Sequence, residues 1–176
     1  MTDFEQQIQK DLHRYLLMEG KVDERLPEAQ DIEDKWETIA HAYLPDGIRE
    51  FGGYPTVSLG WMMYVGMAIA MFWDEDWQKY SAVEDLYASL RDKRGYDCMD
   101  EYIREEVLKL QGDDYKVAEK LVSECASRTH NLLRHGGFEP GTKDAFHAYL
   151  SCIHQLYLMG AAVQLKTLGY RMTKVN

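Results

Sequence analysis

Apolar residues recur along this chain at spacings of three and four, the period of a helix face, while strand patterning finds almost no support. The pattern predicts an all-α fold. A first helix, about Asp3 to Glu19, opens on Thr2-x-x-Glu5, where a threonine hydroxyl and a glutamate carboxylate can each satisfy a free backbone amide, and it ends at Gly20. A second starts after Leu26-Pro27, aligns Ile32, Trp36, Ile39 and Tyr43, and is expected to stop at Pro45-Asp46-Gly47. Ser81-x-x-Glu84 reads as the capping box of a short helix carrying Val83, Leu86, Tyr87 and Leu90. Another, about Cys98 to Gln111, places Met99, Tyr102, Ile103 and Val107 inward and closes at Gly112. The next runs from about Asp114 to His135, with Val117, Leu121, Cys125 and Leu132 on one face.

Two segments depart from amphipathic patterning. No formal charge interrupts Pro55 to Trp73, and Ala145 to Leu165 contains only His147 and His154 as titratable groups besides tyrosine and cysteine. In a chain that is 28% charged, such runs must hide inside a bundle made by the other helices. We therefore expect two long buried helices, about 56–73 and 143–168, the second capped by Thr142 and striped with Phe146, Leu150, Ile153, Tyr157 and Ala161. Gly60 and Gly66 fall inside the first and suit close approach of a neighbour. Six or seven helices result, with 170–176 a loose tail.

Gly52-Gly53-Tyr54-Pro55 and Gly136-Gly137-Phe138-Glu139-Pro140 each join an amphipathic helix to an uncharged one. A duplicated three-helix unit would produce this echo and would set the two uncharged helices side by side at a pseudo-twofold axis. Helix junctions also favour Gly followed by Pro without any duplication.

A length of 176 residues suits a single domain over 1–176 whose core needs no disulfide or metal staple. The formal net charge of −10 disfavours nucleic acid, since phosphate contacts need clustered Lys and Arg. Cys98, Cys125 and Cys152 are odd in number and lack C-x-x-C spacing, which reads as free thiols in a reducing compartment. The N-terminus has neither the basic nor the apolar region of a signal peptide, so a cytoplasmic location is expected. Pro55–Trp73 nearly reaches spanning length, but the acidic Asp74-Glu75-Asp76 flank and the internal Gly, Ser and Thr favour a core helix over a membrane span.

Candidate chemistry is sparse. Phosphate-binding loops, the H-E-x-x-H motif and the nucleophile elbow are all missing from the sequence, so enzymatic activity is left open. Helical bundles build metal sites from inward carboxylates and histidines, and two faces have the spacing: Glu37 with His41, and Asp144 with His147 and His154. Zinc, iron or manganese would be the ion, although the same residues also fit a solvated polar stripe. Cys152 and His154 lie on different faces and make a poor nucleophile pair. The Met-rich, aromatic stretch from Trp61 to Trp77 suits a core, an apolar ligand or a partner helix. A pocket between the two long helices would use Trp61, Tyr64, Met67 and Tyr157. The leading expectation is a cofactor-free acidic module that binds a protein partner or a second copy of itself, with the metal bundle and the small-molecule pocket as alternatives.

Overall fold

The computed structural model describes residues 1–171, so the predicted tail falls largely outside the described residues. They form α1 (Asp3–Met18), α2 (Gln30–Asp34), α3 (Trp36–Gly53), α4 (Pro55–Ser81), α5 (Leu86–Arg91), α6 (Met99–Tyr102), α7 (Asp113–Arg134) and α8 (Lys143–Thr167). No strand occurs among the described residues, and the all-α bundle is as expected.

The two long apolar helices meet at the centre in the largest interface of the bundle. A Cβ added at Gly66 would fall within 3.0 Å of the Tyr157 carbonyl, and one added at Gly160 would do the same to the Met63 carbonyl. Residue numbers rise along α4 as they fall along α8, so the helices run antiparallel and touch backbone to backbone. Only glycine allows that approach. Gly60 similarly admits Val122 and Ala126 of α7. One apolar core surrounds the crossing: Ile8, Leu12 and Leu16 of α1 lie against it on one side and Ile39 and Tyr43 of α3 on another. α4 is the one described helix long and apolar enough to cross a membrane, and 72% of its apolar window is buried in the bundle.

The outer layer does not repeat. α3 packs on α4, the helix that follows it, whereas α7 packs chiefly on α4 rather than on α8, which follows α7. The glycine contact is reciprocal, but the surrounding packing does not follow the duplicated three-helix unit.

Several boundaries differ from expectation. The predicted second helix breaks at Lys35 into α2 and α3, and α3 passes through Pro45 instead of stopping. Pro45 removes the amide that would bond to the His41 carbonyl, but both residues are exposed and water can replace the lost bond. The opposite face of α3 is clamped inward: Ser58 Oγ donates to the Gly47 carbonyl at 2.7 Å, and Tyr43 Oη donates to the Ser58 carbonyl at 2.6 Å. α4 continues past Trp73 until extended backbone at Asp76 kinks it, and the Asp76 carboxylate caps the last turn by accepting from the Lys79 amide. Asp85, rather than Ser81, caps α5 by accepting from the Ala88 amide at 2.9 Å.

The expected helix over 98–111 becomes a 3₁₀ turn (Tyr96–Cys98), the single turn of α6 and a π turn (Ile103–Val107). The wider turn brings Arg104 onto the face buried with Ile103 and Val107. Arg104 is 2% exposed, lies between the rings of Tyr64 and Tyr115, and donates to Asp100 and Glu119 at 2.7 Å each. On α7, Val117 is exposed, and the inward face is Leu121, Val122, Cys125, Ala126 and Thr129. Beyond α8, Tyr170 is not loose: its hydroxyl donates to Asp74 at 2.7 Å and its ring meets Trp73 edge-on.

The crossing predicts a sharp contrast among glycines. Gly66→Ala or Gly160→Ala pushes a methyl into a carbonyl and should cost about 3 kcal/mol or more, or prevent folding. Gly52→Ala, in α3 with nothing within 4 Å, should stabilise by about 0.5–1 kcal/mol. Urea unfolding of the variants tests both, and equal effects at the three positions would contradict the backbone contact.

Candidate functional site

Thr2 caps α1 as predicted, accepting from the Glu5 amide at 3.1 Å, but the Glu5 side chain does not complete the capping box. Glu5 continues the buried stripe of Ile8, Leu12 and Leu16, which directs it across to α8. There its Oε2 accepts two hydrogen bonds, from His154 Nδ1 at 3.0 Å and from Gln155 Nε2 at 2.7 Å. A carboxylate only accepts, so the contact fixes both partners. Nδ1 of His154 carries a proton, and the amide nitrogen of Gln155 faces Glu5.

Two atoms are left over. His154 Nε2 and Gln155 Oε1 are buried and have no hydrogen-bond partner within the protein. Gln155 is wholly buried, and His154 is held from the other side by Trp36, whose ring stacks on the imidazole at 4.8 Å. Trp36 in turn lies 5.2 Å from the ring of Tyr157, whose hydroxyl donates to the Ile32 carbonyl at 2.6 Å. Buried polar groups are ordinarily paired with protein or with water, and neither of these two has a protein partner.

Both residues line a cavity of about 500 Å³ between α1, α8 and the connection from α1 to α2. Its remaining wall is mainly apolar, from Leu26, Pro27, Ile32, Leu158, Ala162 and Leu165, with Glu33 and Met1 at its edge. A volume of roughly 300–1,000 Å³, apolar walls and a few convergent polar groups are the usual make-up of a small-molecule site. Burial pushes the Glu5 carboxyl upward, but the hydrogen bonds from His154 and Gln155 outweigh it and hold the group below the ordinary value of 4.5.

The metal-ligand set predicted from spacing does not assemble. Glu37 and His41 of α3 and Asp144 and His147 of α8 are exposed, and only His154 turns inward. Among the described residues, no group of three or more His, Cys, Asp or Glu is placed to hold a metal ion. Spacing had put each pair on one helix face correctly, but Ile39 and Tyr43 on α3, and Tyr149 and Cys152 on α8, claim the inward face.

The pocket residues predicted on the long helices are committed elsewhere. Tyr64 and Met67 are 2% exposed and Tyr157 is fully buried in the core, while Trp61 donates to the Tyr96 carbonyl at 2.8 Å. Neither Cys125 nor Cys152 suits nucleophilic work, because burial pushes both thiols up, Cys125 to about 12. Sequence reasoning missed Glu5 and Gln155 as site residues. The available signals were that Glu5 prolongs an apolar stripe and that Gln155 adjoins a histidine in an otherwise apolar run.

A second cavity, of about 550 Å³, lies where the ends of α3 and α7 meet the start of α8. It is walled by Phe51, Phe138, Phe146 and Tyr149, with Ile48 and Phe146 substantially exposed beside it. Neither of the unpaired buried polar atoms belongs to it.

No protein-family model, no curated protein and no solved structure matches this chain.

Glu5→Ala would strand the donors of His154 and Gln155 and should cost about 2–4 kcal/mol near pH 7, from two buried groups losing a charged partner. Because the Glu5 value is lowered on folding, its stabilisation is complete above the ordinary glutamate value and fades as pH falls through the lower folded one. Denaturant curves of wild type and variant should therefore converge in acid. A constant gap from pH 7 to pH 3 would contradict the assignment of charge to Glu5.

Proposed function

We propose that this chain is a small-molecule-binding module whose ligand seats between α1 and α8, without covalent chemistry. The observation that carries the reading is the fully buried Gln155, with an unpaired carbonyl oxygen, beside the unpaired Nε2 of His154 on the wall of a cavity of drug-like size. Rigid groups, already desolvated and oriented by Glu5 and Trp36, lose little freedom when a ligand pairs with them. The cavity differs in place from the pocket that spacing suggested, but the class of function is the one proposed there.

A protein partner is the second reading. The exposed Ile48 and Phe146 over the aromatic groove favour it, since contiguous exposed apolar surface suits a partner. The small-molecule reading takes precedence because the groove has no comparable buried polar group to fix an orientation.

The test is a thermal-shift screen of metabolites, followed by chemical-shift mapping of the Gln155 side-chain amide. A ligand present at a hundredfold excess over its Kd should add about 2.7 kcal/mol and raise Tm by roughly 5–10 °C. The same ligand should move the Gln155 resonances and lose its effect in Leu158→Trp, which fills the cavity. Ligands that stabilise the wild type and Leu158→Trp equally would place binding elsewhere and defeat the reading.

A further inference from the structure

We infer that the ligand of the α1–α8 cavity is an organic ammonium, a protonated amine carried on an apolar body; this rests on the binding-module reading above. The inference comes from what the two unpaired atoms can do. Gln155 offers Oε1, an acceptor, because its amide nitrogen is committed to Glu5. His154 offers Nε2, and because Nδ1 holds the proton shared with Glu5, Nε2 presents a lone pair in the neutral ring. A ligand that repairs both must bring N–H or O–H donors.

Charge then separates the donors. The cavity wall carries Glu5 and Glu33, the amide side chain of Gln9, and no lysine or arginine. The chain as a whole carries −10, so a cation is drawn toward the site and an anion repelled. An ammonium has three donors and a full positive charge, and pairs with an acceptor cluster backed by a carboxylate more strongly than a hydroxyl can. The rest of the wall asks for an alkyl or aryl body. Leu26, Pro27, Ile32, Leu158 and Leu165 supply apolar surface without further groups to satisfy.

The Met1 thioether lies 3.5 Å from Gln155 Nε2, and Met1 is 66% exposed, so it covers the Gln155 amide from the solvent side. An unbranched, exposed methionine is readily displaced.

Matched six-carbon probes test the class: hexylammonium, 1-hexanol and hexanoate, titrated calorimetrically and followed at the Gln155 side-chain amide. Hexylammonium should bind about tenfold or more tighter than hexanol, with hexanoate weakest. Glu5→Gln should narrow the preference for hexylammonium over hexanol about fivefold or more. Should that variant fail to fold, the exposed Glu33→Gln provides the same comparison with a smaller narrowing. Equal binding of amine and alcohol, or tightest binding of hexanoate, would overturn the ammonium assignment and leave the pocket standing. If no probe binds or moves Gln155 at millimolar concentration, the pocket and the assignment both fall. A Gln155 response that persists in Leu158→Trp would likewise count against both.

Discussion

The contact of α4 with α8 through Gly66 and Gly160 governs the rest of the molecule. Two helices brought together by side chains alone sit 8–10 Å apart and can rotate to suit what surrounds them. Here each glycine meets the carbonyl of a residue one turn before the other glycine, so neither axial sliding nor rotation is tolerated. Adjacent helices must then fit a fixed surface. α7 does so by seating Val122 and Ala126 against Gly60, and α3 by the Tyr43 hydroxyl donating to the Ser58 carbonyl and the Gly47 carbonyl accepting from the Ser58 hydroxyl, which also meets the Tyr149 hydroxyl.

Tyr157 carries that constraint into the candidate site. Its carbonyl is the atom against Gly66, its hydroxyl holds the Ile32 carbonyl of α2, and its ring faces Trp36, which stacks on His154. With α8 unable to turn, His154 and Gln155 are presented to α1, and Glu5 completes the cluster from there. The arrangement places a rigid scaffold behind the polar groups, with the Met1 thioether against the Gln155 amide.

Much of the architecture was legible in the sequence because it rests on periodicity and caps. Thr2 and Thr142 cap the helices they were expected to cap, and the charge-free run from Pro55 and the nearly charge-free run from Ala145 become the central pair. The misreadings occur where a local rule was outweighed by tertiary contacts. Pro45 normally ends a helix, but Tyr43 and Gly47 are clamped on the opposite face and α3 continues. One regular helix was expected over 98–111, yet a π turn and two tyrosine rings bury Arg104 there with both carboxylate partners supplied. The site was only half legible: His154 stood out as a polar residue in an apolar helix, whereas Glu5 looked like a cap and its convergence with α8 spans 149 positions of sequence. No local pattern encodes such a contact.

Arg104 and the Glu5 cluster together show why the candidate site is not an ordinary buried network. Both bury charge in the same small bundle, and both use aromatic rings as a wall. Around Arg104, Nε and both terminal nitrogens have acceptors, which is what a buried charge needs to avoid a net penalty. In the α1–α8 cluster the carboxylate is doubly bonded, but its two donors each keep one buried polar atom without a protein partner. The same sequence thus gives each nitrogen of a buried guanidinium an acceptor while leaving His154 Nε2 and Gln155 Oε1 without a protein partner beside a cavity. A half-satisfied network destabilises the fold that holds it, and such local costs cluster where structure serves binding rather than folding. It is on this contrast within one molecule that we propose a ligand for those two atoms.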